Sequence, residues 1–262
     1  MPQFPLPLDS PVPTSSFSDL LRATGATPRW EIPPEAARNV SVPEGTTVLA
    51  LRYQGGVVIA GDRRATEGHL VAYRYIKKVF PTDHFSAVAA AGVAGLANEM
   101  VRLFQVELEH YEKLEGRRLS LDGKATFLAR LVRGQLPMAM QGLVVVPLFA
   151  GYDELEATGR LYTYDVVGGR YEEQDFGSTG SGSRLAKSYL RTAYQADLDA
   201  ATALDLAVKA LVSAAQEDTA TGGPDLRRGI LPNVFRIDAE GVKELTDAQV
   251  RPVAENALET IR

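Results

Sequence analysis

From residue 46 the chain alternates between short apolar runs and turn residues before any long helical pattern begins. The segment TTVLALRYQGGVVIAGD sets two β-rich runs on either side of Gln54-Gly55-Gly56, a hairpin signal of glycine between alternating apolar stretches. A second strand pair is predicted over 76–80 and 85–91, turned by Pro81-Thr82-Asp83-His84, whose proline and small polar residues favour a reverse turn. The apolar period then changes to that of a helix: Met100, Leu103, Phe104, Leu108 and Tyr111 predict one over 96–114, stopped by Gly116. The same spacing continues over 121–140. Strands follow at 143–150, 161–167 and 171–176, helices at 185–194 and 201–217, strands at 230–238 and 242–245, and a C-terminal helix.

Strands, two helices, strands, two helices, strands is the order of two stacked sheets with helices outside each. The predicted class is therefore α+β, a four-layer α-β-β-α sandwich of two stacked antiparallel sheets. Strict strand-helix alternation, the mark of a doubly wound fold, is absent, and so is an internal repeat.

The first 45 residues follow different rules. They hold nine of the fifteen prolines (2, 5, 7, 11, 13, 28, 33, 34 and 43), so 1–13 reads as an extended arm and only short helices, at 16–26 and 34–39, fit before residue 45. Residues 1–45 are thus expected to be a separate leading segment and 46–262 the folded domain.

Composition narrows the function classes. With 45% hydrophobic and 23% charged residues the chain is long enough to bury a sizeable core. A formal charge of -5, without a long run of one sign, gives nucleic acid or an anionic membrane surface no electrostatic footing. The absence of cysteine excludes a thiol nucleophile, disulfides and cysteine metal sites, and fits a reducing cytoplasm. No basic residue precedes Arg22, which argues against a signal peptide, and the most apolar stretches, 86–97 and 142–152, fall short of the ~20 residues that span a bilayer.

Candidate chemistry begins at Gly45-Thr46-Thr47. A hydroxyl is a poor nucleophile until a base takes its proton, and a free α-amine on the same residue, which ordinarily titrates at ~7.7 to 8.0, is a base already in place. While Gly45 is attached that nitrogen is an amide, so the leading segment is expected to keep the chain inactive until the bond between Gly45 and Thr46 is broken. Gly45 adds no side chain beside the carbonyl that the Thr46 hydroxyl must attack. Read alone, the two threonines are equally what a strand presents after a turn.

Gly45-Thr46-Thr47, Gly61-Asp62-Arg63-Arg64, Lys77-Lys78-Val79, Ala91-Gly92, the GSGS at 180–183 and the D-x-x-T-G at 218–222 together resemble the proteasome β-subunit family. The resemblance runs from Thr46 to roughly the C-terminus, and the stretches VELEHYEKLEG and DTATGGPD are similar to its actinobacterial branch. It implies the N-terminal-nucleophile hydrolase fold and a threonine endopeptidase, made as a precursor with a propeptide. It assigns Thr46 as nucleophile, Lys78 as the lysine beside it, and Asp62 as the carboxylate that holds the lysine. Gly92 matches the backbone oxyanion donor, Ser181 a serine that bonds the α-amine, and Asp218 and Thr221 a supporting pair, where many relatives carry serine instead of Thr221. The substrate pocket is expected at Ala65, Thr66, Ile76, Phe80, Ala90 and Ala94, whose small and apolar walls predict cleavage after large hydrophobic residues. The implied partners are α-type subunits, further copies of this chain in two stacked seven-membered rings, and an ATPase ring that delivers tagged proteins. No cofactor is implied.

From the residues alone, Asp62 and Lys78 are also compatible with a surface ion pair and Gly92 with a turn glycine. The glycines at 177–182 lack a G-x-x-x-x-G-K-[ST] and so carry no nucleotide signal. His69, His84 and His110 form no H-E-x-x-H, leaving neither a metal site nor a histidine triad to expect. Two alternatives accompany the leading reading: a non-catalytic structural ring subunit, which typically loses the threonine or lysine, and another N-terminal-nucleophile amidohydrolase, which the long proline-rich leader argues against.

Overall fold

The computed structural model describes residues 45–67 and 70–261. The leading segment before Gly45, with its expected short helices, lies outside them, as does His69. The chain folds as two five-stranded antiparallel sheets stacked face to face with helices on both outer surfaces. This is the α-β-β-α sandwich expected from the element order.

The first sheet contains β1 (Thr47–Tyr53), β2 (Gly56–Gly61), β10 (Phe176–Gly180), β11 (Asn233–Asp238) and β12 (Gly241–Glu244), in the order β10-β1-β2-β11-β12. The second contains β5 (Val79–Asp83), β6 (Ser86–Gly92), β7 (Val145–Asp153), β8 (Thr158–Tyr164) and β9 (Arg170–Glu173), in sequence order. A two-stranded hairpin, β3 (Ala65–Glu67) and β4 (Leu70–Tyr73), stands beside them.

Strands buried on both faces explain the near-continuous apolar runs, because the pleat sends successive side chains to opposite sides. In β1, Val48 and Ala50 enter the core between the sheets while Leu49 and Leu51 face the helices. In β6, Ala87 and Ala89 face the first sheet while Val88 and Ala90 face the other way. Leu148, Leu161 and Ile59 fill the inter-sheet core with no exposure, each contributing roughly 1.5–3 kcal/mol by its removal from water.

Helices α1 (Ala94–Glu115) and α2 (Leu121–Gly134) cover the second sheet. Gly116 closes α1 in a left-handed conformation at φ 67°, as its position predicts. Helices α4 (Ser183–Ala193) and α5 (Ala200–Glu217) cover the first sheet, and α6 (Asp247–Thr260) packs against α5 in the same apolar cluster.

Several elements differ from expectation; the strands expected at 76–80 and 230–238, for example, begin only at Val79 and Asn233. The helix expected over 121–140 breaks after Gly134 and resumes as the short α3 (Leu136–Ala139), where Pro137 is tolerated in a first turn. The expected turn at 81–84 moves to His84-Phe85; Pro81 instead lies inside β5, an edge strand whose register shifts between Pro81 and Asp83. The single strand expected at 171–176 is two, β9 and β10, which belong to different sheets. The β3–β4 hairpin was not predicted.

Candidate active site

Six elements end at one edge of the sandwich. They are the start of β1, the ends of β2, β6 and β10, the start of β5 and the C-terminus of α5. Glycine at 61, 92 and 180 terminates three of these strands, and the candidate residues cluster just beyond those ends.

Thr46 immediately precedes β1 and is buried. Its hydroxyl donates to the carbonyl oxygen of Gly45 at 2.7 Å, and the Lys78 ammonium donates to the same oxygen at 2.9 Å. Gly45 has a φ of 105°, and a Cβ there would collide with the Thr66 hydroxyl and lie 2.8 Å from the Ala220 methyl, so only glycine fits before the threonine.

Lys78 lies 4% exposed and Asp62 fully buried, which rules out the solvated surface pair. Asp62 Oδ1 accepts from Lys78 Nζ at 2.6 Å and from the Thr47 backbone N–H at 2.8 Å; Oδ2 accepts from the N–H groups of Arg64 and Gly222, each at 2.9 Å. Four donors satisfy the buried carboxylate where water cannot reach it. Burial draws the Lys78 ammonium below the usual lysine range, opposed by the attraction of Asp62.

A second carboxylate closes the other side. Asp218 caps α5 and accepts from the Ser181 hydroxyl at 2.6 Å and the Thr221 hydroxyl at 2.5 Å. Ser181 also reaches Thr46, its N–H donating to the Thr46 carbonyl at 2.9 Å and its Oγ lying 3.2 Å from the same oxygen. That approach requires Gly180, with a φ of 101°, because a Cβ there would fall on the Thr46 carbonyl.

Gly92 ends β6 opposite Val145 with a φ of 111°, and the preceding Ala91 methyl lies against Gly180. The tip of β6 therefore borders the same edge. Of the six expected pocket residues, Thr66 adjoins Gly45 and Ile76 bonds through its N–H to the Arg63 carbonyl at 3.1 Å. Ala65 is buried in β3, Ala90 donates its N–H to the Lys78 carbonyl at 3.1 Å, and Ala94 begins α1. Phe80 and Ala90 both pack in the cluster beneath α1.

Three contributors were not singled out from the sequence. Arg64 donates through Nη1 to the carbonyls of Thr219 and Thr221 at 3.0 and 3.2 Å, fastening the loop after α5. Gly222 supplies a donor to Asp62, and Thr47 sits between the two carboxylates. The signals were present, in GDRR, D-x-x-T-G and the doubled threonine, yet only folding shows what they touch.

The arrangement brings a hydroxyl and a buried ammonium onto one peptide carbonyl. That is the equipment for nucleophilic attack at the bond between Gly45 and Thr46, with the lysine polarising the oxygen.

Comparison with known proteins agrees in kind. Residues 42–225 match the family model described as Proteasome subunit. A "Proteasome subunit beta" of Acidimicrobium ferrooxidans is 56% identical over 228 residues, covering 87% of this chain and 84% of that protein. The proteins of the same description from Stackebrandtia nassauensis and Acidothermus cellulolyticus are 49% and 50% identical, over 96% and 98% of this chain and 94% and 90% of their own.

Proposed function

Because the chain belongs to the proteasome subunit family, as a β-type subunit of the 20S core and its threonine protease, we propose that Thr46 is the nucleophile and that residues 1–45 are a propeptide removed by the chain itself. The observation that carries this reading is the convergence of Thr46 Oγ and Lys78 Nζ on the Gly45 carbonyl oxygen, 2.7 and 2.9 Å away.

In self-cleavage the Thr46 oxygen turns from the Gly45 carbonyl oxygen to its carbon and attacks. The Gly45–Thr46 C–N bond breaks as the acyl group passes to Oγ, leaving an ester, and the nitrogen takes up the one proton that the hydroxyl gives up to become the free amine. Water then hydrolyses the ester, releasing 1–45 with a C-terminal carboxylate and regenerating the hydroxyl. Lys78 supports the step by donating to the oxygen on which negative charge grows.

In substrate cleavage the liberated α-amine takes the proton of the Thr46 hydroxyl, which attacks a peptide carbonyl to form an acyl ester. The amine product leaves with a proton, and water releases the second product. Asp62 keeps Lys78 oriented and its charge paired, and Ser181, held by Asp218, is assigned to bond the new amine. Gly92 is assigned as a backbone donor to the substrate oxyanion, and Ala65, Thr66, Ile76, Phe80, Ala90 and Ala94 as the pocket for an apolar side chain.

Assembly with α-type subunits in the 20S particle follows from the family. The reading extends to two seven-membered rings of this chain between α rings, fed by an ATPase ring in the cytoplasm. No helix among the described residues is long and apolar enough to cross a membrane.

Intact mass spectrometry of the chain matured with its α partner tests the core of this. The product should begin at Thr46, and Thr46→Ala should keep residues 1–45 and hydrolyse no peptide. Peptide hydrolysis by a particle whose Thr46 nitrogen stays acylated would overturn the reading.

A further inference from the structure

The residue after the nucleophile is fully buried at the start of an apolar strand, where valine would fill the same β-branched shape without taking a hydroxyl out of water. Thr47 nevertheless carries one, and its bonds are directional. The Gly182 N–H donates to Thr47 Oγ1 at 3.0 Å. Thr47 Oγ1 and Thr221 Oγ1 lie 2.5 Å apart, and the Thr221 hydroxyl donates its only hydrogen to Asp218 Oδ2, also at 2.5 Å. The shared hydrogen must therefore come from Thr47. The result is a one-way chain from the Gly182 amide through Thr47 and Thr221 to the carboxylate, each donation strengthening the next.

This direction reaches the nucleophile through Ser181. The Ser181 hydroxyl has one hydrogen and two acceptors within reach, Asp218 Oδ2 at 2.6 Å and the Thr46 carbonyl at 3.2 Å. With Asp218 pinned by Thr221, the hydrogen goes to the carboxylate and the Ser181 oxygen turns its lone pairs outward. Meanwhile the Thr47 backbone N–H donates to Asp62 and the Asp62 N–H returns to the Thr47 carbonyl at 3.1 Å. One residue thus spans both carboxylates.

We propose that Thr47 is a positioning residue for hydrolysis at Thr46: its hydroxyl fixes the direction of the hydrogens converging on Asp218, so that Ser181 Oγ meets the freed amine as an acceptor. The inference rests on the assignment of Thr46 as nucleophile. The charged groups gathered around it are Asp62, Lys78, Arg64 and Asp218, none of which Thr47 replaces.

The test compares Thr47→Val, Thr47→Ser and Thr47→Ala in particles assembled with the α partner, with rates normalised to the fraction of chains that begin at Thr46. Valine and alanine should lower kcat about tenfold on a short fluorogenic peptide with KM little changed, as for a misplaced catalytic group. Their acidic limb of kcat/KM, which reports the amine, should move to lower pH by roughly half a unit, because the charged amine loses an acceptor. Serine, which keeps the hydroxyl, should restore both. Alanine and serine both lack the methyl, so that pair isolates the hydroxyl even if the valine particle fails to assemble. Equal activity and equal pH limbs in alanine and serine particles, or loss of assembly with serine, would overturn the proposal. A wild-type particle active with residues 1–45 attached would instead overturn the reading beneath it.

Discussion

The Lys78 ammonium lies 2.9 Å from the carbonyl oxygen of Gly45. A lysine remote in sequence thus bears directly on the peptide bond that joins the leading segment to the folded domain. Replacing Lys78 by methionine keeps the length of the stem and removes the donor. Self-cleavage should slow by about 10²–10³-fold, the effect of losing one donor to a developing oxyanion. Time-resolved intact mass of assembled precursor checks this; unchanged accumulation of chains beginning at Thr46 would contradict it.

The same contact sets a pH dependence. Burial lowers the proton affinity of Lys78, so its neutral form appears at lower pH than for an exposed lysine. The charged donor to Gly45 is present below that lowered value and lost above it. Self-cleavage of the precursor should therefore show an alkaline limb that begins below about pH 10, the ordinary lysine range. A rate still climbing at that pH would make Lys78 a base in this step rather than a donor.

Asp62 answers four donors with two oxygens, and asparagine has only one acceptor to offer. Asp62→Asn would set an amide N–H against two donors and leave the Lys78 charge unpaired in the interior. The expected cost is about 3–5 kcal/mol, read as a lower unfolding midpoint of the particle. Adding Lys78→Met on that background should recover part of the loss, because no buried charge then lacks a partner. A double variant no more stable than Asp62→Asn alone would show that the pair's charge is not what matters.

The long elements were legible because burial is what patterns them. The helical spacing of Met100, Phe104 and Leu108 and the two-faced apolar runs of β1 and β6 are each dictated by a neighbouring layer. The strand break at 174–175 was not, since β9 and β10 part company only because their partners, β8 and β1, lie in different sheets. The hairpin at 65–73 was missed for the opposite reason: Leu70, Val71 and Tyr73 of β4 are exposed and the buried Ala65 and Thr66 of β3 are adjacent in sequence, so burial imposes no alternation there. At the site, the motifs pointed to Asp62 and Lys78, while Arg64 and Thr47 act through contacts with residues more than 150 positions away, which spacing does not encode.

Specificity is the remaining expectation, and it turns on Ile76. Ile76 is half-buried between the Arg63 carbonyl, to which it is bonded, and the start of β5, and it belongs to the proposed pocket with Phe80 and Ala90. An apolar wall without a charge offers nothing to offset the desolvation of a basic or acidic side chain, so peptides ending in tyrosine or leucine at the cleaved bond should outpace those ending in arginine or glutamate. Ile76→Glu places a carboxylate at the partly open side of that wall, where water still reaches it. The ratio of cleavage after arginine to cleavage after tyrosine should then rise about tenfold, in kcat/KM, with the pH limbs unchanged because Thr46 and Lys78 are untouched. If the ratio stays at its wild-type value while total activity is retained, Ile76 does not face the substrate and the pocket lies elsewhere.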